Sequence, residues 1–161
     1  MGTTNTLDRL AASVGLLMEA KITFQPCADV PHGGVLLALP ALLANGLLSE
    51  AKRYFQLPKG YYGLESILLL LAMMALARLT SLEDLRYEPP GEWGKLLGLD
   101  RIPEVRTLRN KIKLLVGQGV EAWSAELCKG WMQNDPQSTG AFYVDGHVRV
   151  YHGKRHSYVG S

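Results

Sequence analysis

The sequence predicts a mainly α-helical chain that turns extended toward its C-terminus, and three observations support this. Apolar residues recur near helical spacing from about residue 34 to 133, and Pro and Gly divide that stretch into short segments. From Ala141 the pattern changes to alternating β-branched and aromatic residues. The expected organisation is a multi-helix N-terminal region at 1–133, with a candidate helix-turn-helix at 90–116, followed by a C-terminal β-hairpin region at 134–161.

The elements follow in order. Residues 1–30 carry weak signals, with a short helix expected over 7–20. Val35, Leu36, Leu39, Leu42 and Leu43 recur at helical spacing before the stop Asn45-Gly46. A second short helix is expected over 47–55. Residues 64–79 then form an almost wholly apolar helix, too short for the roughly twenty residues of a bilayer crossing, and so a buried core helix. Thr80-Ser81-Leu82-Glu83 fits a capping box, with the Thr80 hydroxyl and Glu83 as its two members. Pro90 suits a first helical position, and Gly98 closes the segment that follows. Pro103 opens the next helix, which runs to Val116. A last helix over 120–133 sets Trp123, Leu127 and Trp131 on one face, as core or partner-facing residues. That face could make a homo-oligomer contact. The run 141–151 predicts two strands around Asp145-Gly146.

Composition excludes several classes. A hydrophobic content of 47% is ample for a packed core and argues against a disordered chain. The net charge of +2 decides nothing about nucleic acid, which leaves the local clustering of charge to carry that question. Cys27 and Cys128 lie far apart, which suits reduced thiols better than a disulfide framework, and the four histidines have no metal-ligand spacing. With no export signal and no membrane span, the expected location is cytoplasmic and nucleoid-associated.

Two constellations carry chemistry. In 103–116, Val105, Leu108, Ile112 and Leu115 form one stripe at 100° per residue, while Arg106, Arg109, Asn110 and Lys113 project from a separate face. Residues 101–113 hold five basic side chains (Arg101, Arg106, Arg109, Lys111 and Lys113) against one acid, Glu104. A short helix, a turn and a basic amphipathic helix outline a helix-turn-helix, so Arg101, Arg106, Arg109, Asn110, Lys111 and Lys113 are the candidate DNA-binding residues. An ordinary solvated helix face accounts for the same pattern equally well, and the expected turn of about five residues is longer than the usual three or four.

The second constellation is Asp145. Hard Mg²⁺ ions take oxygen ligands, and a carboxylate at the end of a rigid strand is a common first ligand of a two-metal site. The dipeptide Asp145-Gly146 between two alternating runs is also the strongest short-range signal for a two-residue turn, and taken alone it favours the turn.

The stretches Val35 to Leu43 and Gly60 to Ser66, and above all Gly140-Ala141-Phe142-Tyr143-Val144-Asp145-Gly146-His147-Val148-Arg149-Val150-Tyr151-His152-Gly153, resemble bacterial insertion-sequence transposases of the DDE kind. That resemblance implies a ribonuclease H-like catalytic core beginning near Tyr143, with Asp145 as the first of three metal-binding, catalytic carboxylates. It also implies DNA, at transposon ends, as the partner and Mg²⁺ as the cofactor. Members of that group continue through a second Asp and a Glu, whereas this sequence has no acidic residue after Asp145. The expectation is therefore a partial transposase, inactive in strand transfer on its own and binding no Mg²⁺ by itself, with 155–161 either native or out of frame. The alternatives are a non-catalytic DNA-binding regulator and a helical oligomerisation module.

Overall fold

The computed structural model describes residues 6–134. Seven α-helices and two 3-10 helices follow one another among them: α1 Thr6–Ser13, the 3-10 helix Gly33–Ala38 running into α2 Leu39–Ala44, α3 Ala51–Tyr54, α4 Leu64–Leu76, the 3-10 helix Leu82–Tyr87, α5 Pro90–Leu96, α6 Val105–Val116 and α7 Val120–Asn134.

The core forms around α4, whose Ile67, Leu68, Leu69, Leu70, Met73 and Met74 are all buried. A helix apolar on nearly every side needs neighbours all round, as its composition predicted. Trp93, Leu96 and Leu97 come in from α5 and its end, Leu99 and Ile102 from the turn beyond it, and Val105, Leu108 and Leu115 from α6. Ser66, the buried polar residue of α4, donates its hydroxyl to the Gly63 carbonyl at 3.0 Å and so leaves no unmet group. Among the described residues no helix is long and apolar enough to cross a membrane.

Helix ends differ from expectation for local reasons. The predicted 7–20 helix closes at Ser13 because Gly15 enters the left-handed region at φ 73°, letting the Leu16 amide donate to the Ala11 carbonyl at 2.9 Å. The capping box sits one residue later than predicted. Asp84, not Glu83, reaches back, and its carboxylate accepts the Ser81 and Thr80 amides at 2.9 Å each and the Ser81 hydroxyl at 2.9 Å. Those amides hold the Asp84 carboxyl below the usual range. The shift by one residue turns Glu83 away from the helix start and leaves it available to other partners.

The stripe Trp123, Leu127 and Trp131 of α7 packs against this chain's own 45–56 segment. Phe55 and Trp123 meet edge to face at 5.2 Å, Leu127 is buried, and the Trp131 indole donates to the Asn45 carbonyl at 3.2 Å. Gln118 fastens the same joint, its side-chain amide accepting from the Gln56 amide at 2.7 Å and donating to the Gln56 carbonyl at 2.9 Å.

One part of the predicted fold class is corrected. The mainly α description agrees with the structure, whereas no C-terminal β-hairpin is seen among the described residues. The described residues hold helices and turns, with no strand and no sheet, and 141–151 lies outside them. Strand propensity measures how side chains fit a pleated, half-buried surface and not a backbone preference of its own. A hairpin is also marginal unless a sheet edge or a packing face receives it, and the described residues offer no sheet edge.

Candidate nucleic-acid interface

Helix α6 is positioned by what it buries. Val105, Leu108 and Leu115 enter the core, and the helix lies against the 3-10 helix Leu82–Tyr87. The joint between α5 and α6 runs through residues 97–104, longer than the predicted turn and than that of a compact helix-turn-helix. It is nonetheless firmly built. Gly98 at φ 64° closes α5, with the Leu99 amide donating to the Gly94 carbonyl at 2.9 Å, and the Ile102 amide returns to the Pro90 carbonyl at 3.0 Å.

A polar clasp ties this turn to α1. The Arg9 guanidinium donates through Nε at 2.8 Å and Nη2 at 2.5 Å to the two oxygens of Asp100, whose side chain is only 7% exposed. Its Cζ lies 3.9 Å from the centre of the Tyr61 ring, and the Tyr61 hydroxyl donates to Asp100 Oδ1 at 2.7 Å. Burial works against both charges, yet the hydrogen bonds outweigh it. Burial raises the Asp100 carboxyl, but Arg9, Tyr61 and the Arg101 amide hold it below its ordinary value, while Asp100 and Tyr62 hold Arg9 above the ordinary arginine value.

A carboxyl with a depressed folded pKa contributes stability that is complete above the ordinary value near 3.9 and is lost as the pH falls through the folded value. The acid-unfolding profile should therefore steepen below about pH 4. Replacing Asp100→Asn should remove that part of the profile and cost about 2 kcal/mol at neutral pH, because a largely covered guanidinium then loses its counter-charge. Urea unfolding at a series of pH values measures both effects, and an unaltered acid limb in the variant would contradict the assignment.

The structure separates the six predicted DNA-binding residues into groups. Arg106, Asn110 and Lys113 form one exposed stripe along the outer face of α6, and none has an internal partner among the described residues. Arg101 is exposed on the turn. Arg109, at the edge of the stripe, forms an ion pair with Glu83, whose other oxygen accepts Arg86 Nε at 2.8 Å. Lys111 turns to the flank, where burial holds its ammonium below the usual lysine pKa. At the start of α6 a cleft of about 640 Å³ is lined in part by Arg9, Arg86, Glu88, Arg101, Glu104 and Arg106. Asp100 and Glu83 already neutralise Arg9 and Arg86, so the positive charge left at the cleft is that of Arg101 and Arg106, and Arg106 also begins the exposed outer stripe.

The Glu83–Arg109 pair and the Arg9–Asp100 clasp escaped the sequence reading. The pair Tyr61-Tyr62 beside a buried helix was the one hint of the clasp, and nothing in the spacing of 83 and 109 announced their contact. Asp145 lies outside the described residues, and among those described no group of three or more His, Cys, Asp or Glu residues is placed to hold a metal ion.

The family described as "Transposase protein" matches this chain over residues 1–159. No curated protein and no solved structure matches it.

Proposed function

Because the chain belongs to that transposase family and so has a transposition-related function, we propose that its helical part binds DNA, with the outer face of α6 as the contact surface. The observation that carries this reading is the stripe Arg106, Asn110 and Lys113. These side chains are exposed and have no internal partner among the described residues, on a helix whose opposite stripe is locked into the core. Guanidinium and amide groups suit base edges and phosphates, and the lysine suits phosphate. Arg101 and Arg109 extend the positive surface at either side. In the same reading the DNA is a transposon end and the family is of the DDE kind, as the resemblance over 140–153 suggests, and Asp145 is the first of its Mg²⁺-binding carboxylates.

Binding of the full chain to duplex DNA across a salt series tests the surface. If four phosphates are neutralised, log K falls against log salt with a slope of roughly −3.6. Replacing Arg106, Arg109 and Lys113 together by Ala should flatten the slope by about 1.8, or by about 2.7 where a phosphate displaces Glu83 from Arg109, and leave the unfolding midpoint nearly unchanged, since all three side chains are exposed. An unaltered slope would remove α6 from the interface.

A further inference from the structure

Of the six predicted DNA-binding residues, Arg109 alone is ion-paired among the described residues, and its partner Glu83 holds a second arginine, Arg86, at the same time. Glu83 belongs to the 3-10 helix on which α6 rests, so the carboxylate is brought to the rim of the basic face by the packing of these two elements. All three side chains remain between 43% and 63% exposed, so DNA approaching the face meets this cluster directly.

The geometry points to Glu83 as an internal competitor of the DNA phosphate for the Arg86 and Arg109 guanidiniums, which restrains the affinity of α6 for duplex DNA. This inference rests on the DNA-binding reading of α6. A carboxylate and a phosphate present similar oxygen pairs to a guanidinium, so they compete for the same donors. An exposed ion pair contributes little net stability, so a phosphate set in the right place can displace the carboxylate. The displaced carboxylate then stays beside the phosphate as a like charge and opposes it. Nonspecific binding, which depends almost wholly on phosphate contacts, is therefore held down most. A site that also offers Arg106 and Asn110 matching base edges is affected proportionately less.

Binding of the full-length Glu83→Gln chain to a mixed-sequence duplex tests this. Affinity should rise about tenfold, and the salt slope should steepen by about 0.9 for each guanidinium that gains a phosphate. Glu83→Lys should bind tighter still, so the sign of the effect can be read from two variants of different fold stability, each checked by thermal unfolding. Combining Glu83→Gln with Arg86→Gln and Arg109→Gln should abolish the gain. Unchanged or weaker binding of both Glu83 variants, or a gain that persists without the two arginines, overturns the competitor role. Loss of the parent reading has a different signature. In that case the alanine triple variant of α6 also keeps the wild-type slope, whereas failure of the competitor alone leaves the triple variant flattened and Glu83→Gln without effect.

Discussion

Replacing Trp93→Ala is expected to cost about 3–5 kcal/mol of folding stability, a large part of what a chain of this size possesses. Trp93 is wholly buried, among the largest side chains in the core, and belongs to the same core cluster as the buried residues of α4 and α6. Its loss would leave a cavity that the surrounding leucines, fixed on separate helices, can close only in part. The indole also has a polar duty, donating through Nε1 to Glu88 Oε2 at 2.8 Å, while its ring meets His32 at 5.4 Å. In the alanine variant the Glu88 carboxylate, 20% exposed, keeps only the His32 contact at 3.5 Å. A fall in the denaturant midpoint at constant slope checks the size of the effect. A midpoint within a few tenths of a molar of the wild type would show that α5 is not anchored through this residue.

Gly94→Ala should have the next largest effect, about 3 kcal/mol, near the upper end of the range for overpacking. The reason is contact and not conformational freedom. A Cβ at Gly94 would stand 2.5 Å from the Arg101 Cα, 2.6 Å from the Arg101 nitrogen and 2.8 Å from the Asp100 carbonyl carbon. All of these are backbone atoms, so no side-chain rotation relieves the clash and the turn must move off α5. Two consequences should appear together: a lower unfolding midpoint, and weaker DNA binding in the fraction that stays folded, because the same turn sets the start of α6. Gly91→Ala on the same helix is the control, since its Cβ would meet only the Asp100 carbonyl oxygen at 3.7 Å and should be tolerated. Equal tolerance at positions 91 and 94 would mean that α5 and the turn are not in close contact.

The contrast between these two glycines shows where the sequence stops being informative. Both lie in one short helix beside a proline, and propensity treats them alike. Only the return of residues 100–101 over α5 distinguishes them, and that return is a tertiary event.

The segments α4, α6 and α7 were legible because a stripe, or a continuous run, of apolar residues over ten or more positions can be satisfied only by burying a helix. Glycines and prolines marked most of their ends, and the basic face of α6 was visible as the complement of its buried stripe. Identity along the chain thus determined the helical class, the central helix and which face of α6 is buried. Strand propensity over 141–151 could not by itself establish a hairpin, because strand formation depends on a receiving surface as well as on side-chain type. Tertiary structure alone decided that Arg109 is engaged by Glu83 while Arg106 is not, that Lys111 is drawn to a covered flank, and that Arg9 reaches across 91 residues to Asp100. The physical reason is range. Hydrophobic periodicity is a local signal, repeated at every turn of a helix, whereas an ion pair depends on two side chains that only the packing of the whole core brings together.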